Sequence, residues 1–305
     1  MEVINQLVSN EDGSIDLITD STDNPFSAAV LGNQEFYKTH EQLLARDLIL
    51  DHSRGHQHHY VPRKLIEVDQ FGYARYRGLV FKLDPASLSN VQPRNLVVDF
   101  GGTGIYDEMV QSNYWSRYVT ESFDGVPRNT IVLRIIDFNL NVGSFFMNTQ
   151  NYSTFENDVI MLILQTIKRF NISMDHIVLY GSSKGGFAAQ YYGLKNHWKF
   201  VANDPLIDIS DYPLMPLLIG TQDFIDSNRI EVINELSRPF TKIDFGYVIG
   251  NRYADETWPT LKKISSKFKV IDLNDPQLIY HPEVVEGSQS EARTLVNYLL
   301  LKDEL

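Results

Sequence analysis

The sequence predicts an open α/β fold, a mostly parallel, doubly wound sheet with helices on both faces. Three observations carry this. From Asn95 onward, short apolar runs alternate with helix-length stretches, the mark of parallel strands joined by crossover helices. The run Thr130–Ile136 reads Thr-Ile-Val-Leu-Arg-Ile-Ile, nearly continuous in β-branched and leucine residues, as a strand buried on both faces should. A chain of 305 residues with 43% hydrophobic and 22% charged side chains has the balance of a globular protein with a sizeable core.

The first ninety residues lack this alternation. Ser14–Thr19 and Ala74–Leu83 read as strands, and Asn33–Leu48 as a helix between them. Asp51–Tyr60, which contains His52, His56, His58 and His59, reads as a polar loop. Residues 1–90 are therefore expected to form an N-terminal α+β extension packed on a core of residues 91–305, with no Gly/Ser- or Pro-rich linker between. The core strands are expected at Asn95–Phe100, Thr130–Ile136, His176–Tyr180, Phe200–Ala202, Phe245–Gly250 and Phe268–Leu273. The helices fall at Phe155–Phe170, Gly185–Asn196 and Ser290–Leu301, the last with Ala292, Leu295, Val296 and Leu299 on one face.

Charge and composition exclude several functions. The 27 basic and 39 acidic side chains give a net charge of −12, a field that repels nucleic acid and anionic membrane surfaces. The absence of cysteine removes disulfides, thiol catalysis and Cys-ligated zinc. The start, Met1-Glu2-Val3-Ile4-Asn5, has neither a basic stretch nor a signal-length apolar run, and no apolar stretch is long enough to cross a bilayer, so a cytoplasmic location is expected. Lys302-Asp303-Glu304-Leu305 spells an ER-retention signal, yet without a leader it reads as the end of an amphipathic helix. The histidine cluster lacks a helical i, i+4 pair and a carboxylate pattern, so a polar surface loop is favoured over a metal site, with contact to a polar substrate as a third reading. Arg134, inside an apolar strand, needs a carboxylate partner or an anionic substrate group.

The chemistry concentrates at Tyr180-Gly181-Ser182-Ser183-Lys184-Gly185-Gly186. A buried-strand run precedes it and a helix-compatible stretch follows, the strand–turn–helix setting that a G-x-S-x-G nucleophile needs. Small residues two positions either side of the serine let strand and helix approach, and this spacing selects Ser183 over Ser182. Ser183 then stands at a helix N-terminus, where N–H groups and the dipole favour developing negative charge. One oxyanion donor is expected from the N–H of Lys184, the other from Gly102 or Thr103 in Phe100-Gly101-Gly102-Thr103-Gly104. That turn lacks the spacing of a phosphate loop, and no G-x-G-x-x-G occurs, so no nucleotide site is expected.

The base and acid should follow the serine along the chain. His197 ends the elbow helix and is too close in sequence to reach back, which leaves His281, eight residues beyond the last strand, as general base. Asp255, one strand before His281, is the preferred acid to orient it; Glu256 is its adjacent rival, and Asp204, after the strand Phe200–Ala202, is the other candidate.

Together these residues resemble the α/β-hydrolase fold superfamily over roughly residues 95–300. Within it, Ser-Ser-Lys-Gly-Gly is similar to bacterial capsular polysaccharide biosynthesis proteins of the XcbB/CpsF type and to the hydrolase-like component of the accessory Sec system. The resemblance implies a serine esterase or O-acetyltransferase acting on carbohydrate or glycoconjugate in surface-polysaccharide biosynthesis. It also suggests acetyl-CoA as candidate acyl donor and capsule-assembly proteins as candidate partners, while the residues themselves suggest no metal or other cofactor. Lys184 departs from the small or apolar residue common after an esterase nucleophile, and its role is left open. A catalytically silent scaffold and a serine peptidase are the rival readings.

Overall fold

Two sheets organise the chain in the computed structural model, which describes residues 6–19, 34–69, 72–84, 92–102, 125–140, 143–208, 228–264 and 266–302. The smaller sheet is antiparallel and four-stranded, in the order β1 (Gln6–Ser9), β2 (Ile15–Ile18), β4 (Gln57–Pro62), β3 (Leu48–Arg54), with helix α1 (Gln34–Ala45) preceding β3. The larger has eight strands. Its parallel part comprises β7 (Asn95–Phe100), β8 (Thr130–Ile136), β9 (Ile177–Ser182), β10 (Lys199–Asn203), β11 (Gly246–Gly250) and β12 (Lys269–Asp272). Strands β6 (Leu79–Asp84) and β5 (Ala74–Tyr76) extend it at one edge. The order is β12-β11-β10-β9-β7-β8-β6-β5, so β9 lies between β7 and β10 near the centre.

Burial explains why these runs became strands. Every residue of β7 and β8 is buried, because helices cover both faces of the sheet. On one face α2 (Phe155–Phe170) and α3 (Lys184–Asn196) contribute Phe155, Val159, Leu162, Phe187 and Tyr192 to the main core. On the other, α7 (Gln289–Leu301) sets Ala292, Val296 and Leu299 against Val97, Val178 and Val201. Three shorter helices complete the described core: α4 (Arg229–Ser237), α5 (Trp258–Lys263) and α6 (His281–Gly287).

Two expectations for the N-terminal region are corrected. Asp51–Tyr60 is not a loop but most of the β3–β4 hairpin. Its alternation was hidden because the inward positions are His58 and Tyr60, and a histidine counts as polar in a hydropathy reading even when it packs on Phe36, 4.7 Å between ring centroids. The run Ala74–Leu83 is broken at Arg77, whose φ is 54°, into β5 and β6. Strand β6 pairs antiparallel with β8, so the larger sheet reaches back to Ala74, ahead of the division expected near residue 90. Arg134 finds its carboxylates within this sheet, Asp84 at 2.6 Å and Asp99 at 3.9 Å.

Two buried histidines, His40 on α1 and His58 in the small sheet, make stability depend on pH. Burial pushes His40 down to about 3 and His58 down to about 4, the neighbouring histidine adding to each. An unfolded chain binds these protons near 6.5 while the folded one does not, so stability is lost as pH falls from about 6.5 towards 4. Asp99, pushed up to about 6 by burial, opposes this over the lower part of that window, since folding then takes up a proton. The thermal midpoint is expected to fall between pH 7 and about pH 4.5, less steeply in His58→Gln and more steeply in Asp99→Asn. Equal slopes in all three proteins would refute this assignment.

Candidate active site

Strand β9 runs directly into α3, and Ser183 is the hinge between them. Its φ of 58° and ψ of −123° lie outside the regions an L residue adopts readily. The conformation is held by its surroundings: the Ser183 N–H donates to the Asn203 carbonyl at 3.0 Å, and its own carbonyl accepts from the N–H groups of Leu206 (3.0 Å) and Phe187 (3.2 Å). The glycines are steric requirements. A Cβ at Gly181 would run into the Gly185 backbone, and one at Gly185 into the Phe100 carbonyl.

Three side chains converge at this turn. His281, the first residue of α6, places Nε2 2.9 Å from Ser183 Oγ and Nδ1 2.6 Å from Asp204 Oδ2. Asp204 Oδ1 accepts a second hydrogen bond, from the Thr257 hydroxyl at 2.9 Å. Asp204 and His281 are buried, while Ser183 is half-buried and so reachable. An ionised carboxylate only accepts, so Nδ1 carries the hydrogen and Nε2 turns its lone pair to the serine hydroxyl.

The acid expected from the sequence is therefore replaced. Asp255 is exposed, because the turn after β11 buries Ala254 and points the next side chain outwards. Glu256 does touch His281, but at the backbone: its Oε2 accepts the His281 N–H at 2.8 Å, which fixes the start of α6 rather than the ring. Asp204, the other candidate, holds the ring. A sequence signal for it existed in Asn203-Asp204-Pro205, directly beyond the buried run of the strand beside the elbow strand.

Around the serine, Gly101 and Gly102 leave the carboxyl end of β7, the neighbour of β9, with Phe100 opposite Gly181. A Cβ at Gly102 would lie 3.6 Å from the Ser182 carbonyl, so this backbone passes close to the elbow. Thr103 lies outside the described residues. The Lys184 N–H opens α3, whose first N–H groups have no partner within the helix. The Lys184 side chain does not face the cleft but is buried, with Nζ 3.9 Å from Asp137.

The histidine cluster belongs to the small sheet. His52 bonds to Asp51, His58 to Ser53, and His59 to Asp16. Among the described residues, no group of three or more His, Asp or Glu side chains is placed to hold a metal ion. No described helix is long and apolar enough to cross a membrane.

No family model matches the chain. Over 128 residues, 40% of its length, it is 30% identical to an accessory Sec system protein of Staphylococcus aureus; that stretch is 24% of the relative, so the chain matches about a quarter of it. Among solved structures, the capsule O-acetyltransferase of Neisseria meningitidis serogroup A superimposes with a TM-score of 0.51 at 15% identity, over 77% of this chain and 97% of that one. The same enzyme with caged gadolinium gives 0.50 at 14% identity over the same shares. The fold is that of the α/β hydrolases. In α/β-hydrolase terms, β9–α3 occupies the position of the nucleophile elbow. Ser183, Asp204 and His281 follow one another in the serine, acid, histidine order of that fold.

Proposed function

We propose that this α/β-hydrolase domain catalyses acyl-ester chemistry through a covalent acyl-Ser183 intermediate. The observation that carries the reading is the unbroken relay from Ser183 Oγ through His281 to Asp204, on a serine held at positive φ. His281 Nε2 takes the hydroxyl proton as Oγ attacks the acyl carbonyl. The oxyanion is received by the N–H groups of Lys184 and Gly102. Collapse expels the leaving group with the proton from His281, and His281 then deprotonates the acceptor that releases the acyl group. Asp204 keeps the ring in the productive tautomer and offsets the imidazolium charge.

The substrate side of the proposal is an O-acyl group, acetyl by preference, on a carbohydrate or glycoconjugate. It is supported by the match to a segment of an accessory Sec system protein and by a fold shared with a capsule O-acetyltransferase. With water as acceptor the domain is an acetylesterase; with a sugar hydroxyl as acceptor and acetyl-CoA as donor it is an O-acetyltransferase.

A fluorophosphonate probe is expected to label Ser183 at neutral pH. Labelling should vanish in Ser183→Ala and fall at least about a hundredfold in rate in His281→Ala. Folded protein that takes no label would sink the enzyme reading and favour a silent scaffold. Incubation with acetyl-CoA and a de-O-acetylated polysaccharide, followed by mass spectrometry, separates the two acceptors. Acetate gain supports transfer, whereas unchanged polysaccharide mass alongside ester hydrolysis supports the esterase.

A further inference from the structure

Lys184 poses a question that the relay does not answer: why the residue after the nucleophile is a lysine whose side chain is wholly buried. Burial pushes its ammonium below the ordinary value, while Asp137, equally buried, pulls against that. Replacing a buried ion pair by apolar groups is often neutral or stabilising, so stability alone is a weak reason for one here.

Asp137 does more than face Lys184. It follows β8, and its Oδ2 accepts the N–H groups of Ser144 (2.7 Å) and Phe146 (3.1 Å), while Oδ1 accepts the Ser144 hydroxyl at 3.2 Å. These bonds hold a strained turn, since Phe145 and Phe146 both have positive φ, 55° and 58°, and both rings are fully buried. At Gly143, φ +88°, an added Cβ would collide with both Lys184 Nζ and the Asp137 carboxylate, so the ion pair and the turn are packed against each other.

The turn touches both walls of the candidate oxyanion hole. The Phe146 ring packs edge-on against Phe100, centroids 5.0 Å apart, and Phe100 directly precedes Gly101 and Gly102. The Phe146 carbonyl accepts the Tyr192 hydroxyl at 2.7 Å, and Tyr192 lies on α3 two turns beyond Lys184.

We propose that the Lys184–Asp137 pair is a positioning device for the oxyanion hole, setting the start of α3 against the Gly101–Gly102 strand end through the strained 143–147 turn. Lys184 then acts by its backbone N–H on the substrate and by its side chain on the placement of that N–H. This rests on the acyl-enzyme reading for its chemistry, but not for its geometry.

The test is the double variant Lys184→Met/Asp137→Asn, which removes both charges and nearly keeps the volume. Hydrogen exchange at the bonded amides that hold the elbow, those of Ser183, Phe187 and Leu206, is expected to speed up about tenfold or more. In ester turnover, kcat is expected to fall by about tenfold or more with KM unchanged. The pH dependence of kcat/KM should stay in place, because the Ser183–His281–Asp204 relay is untouched. A folded double variant with unchanged elbow exchange or unchanged kcat overturns the proposal. If the double variant does not fold, Ser144→Ala removes only one bond to Asp137 and is expected to move both readouts the same way by about twofold, with no movement counting against the device. If wild-type protein takes no fluorophosphonate and turns over no ester, the acyl-enzyme reading fails, and the exchange measurement still decides the geometric claim.

Discussion

On the proposed mechanism, Asp204→Asn is expected to lower ester turnover by about a thousand- to ten-thousand-fold while the protein stays folded, and Asp255→Asn to leave turnover within about twofold of wild type. The difference follows from what each carboxylate touches. Both oxygens of Asp204 accept, one from His281 Nδ1–H and one from the Thr257 hydroxyl, in a fully buried position. Asparagine has the same shape but only one accepting oxygen. Whichever way its amide turns, an NH2 faces a donor or drives His281 into the other tautomer. In that tautomer Nε2 carries a hydrogen and cannot take the Ser183 proton. Asp255 is exposed, so its neutralisation changes a solvated charge some distance from the chemistry. Steady-state kinetics on an acetyl ester, with circular dichroism to check folding, reads both variants. Comparable losses at 204 and 255 would refute the pairing.

Gly185→Ala is expected to destabilise the domain by about 3 kcal/mol or more and to abolish fluorophosphonate labelling. Helix propensity argues the other way, since alanine in place of glycine within a helix such as α3 is worth up to about 1 kcal/mol. Sterics win because the added methyl meets backbone. It would run into the Phe100 carbonyl, with the Gly101 carbonyl 3.3 Å away, and neither can rotate aside as a side-chain tip could. Strand β7 is wholly buried between β8 and β9, so α3 must lift instead, taking Ser183 and the Lys184 N–H with it. Urea unfolding measures the first effect and probe labelling the second. A variant as stable as wild type would show that α3 has room that these contacts deny it.

Much of the core was legible because its signals are local. The strands Asn95–Phe100 and Thr130–Ile136 and the helix Phe155–Phe170 coincide with their apolar runs, since residues buried on both faces leave an uninterrupted pattern. The Asp51–Tyr60 part of the β3–β4 hairpin was not legible, because its buried side chains are a histidine and a tyrosine, which satisfy their polar atoms by pairing: His58 Nδ1 with Ser53, and the Tyr60 hydroxyl with His40. The break at Arg77 was invisible for a different reason, a single positive φ at a residue type that carries no turn signal.

The candidate site divides along the same line. The elbow around Ser183 can be read from the chain because its requirement is steric and short-range: small residues at fixed offsets, where a methyl would strike the neighbouring backbone. His281 is readable too, being the one histidine placed beyond the last strand and ahead of the final helix. The choice among carboxylates is not, because it depends on sheet order. Strand β10 lies beside β9, which brings Asp204 to His281 across 77 residues of chain, while Asp255, far nearer in sequence, turns away on the next loop. The fate of the Lys184 side chain is likewise a matter of packing: its direction is set by Asp137 and the 143–147 turn, and nothing in the elbow's own spacing records them.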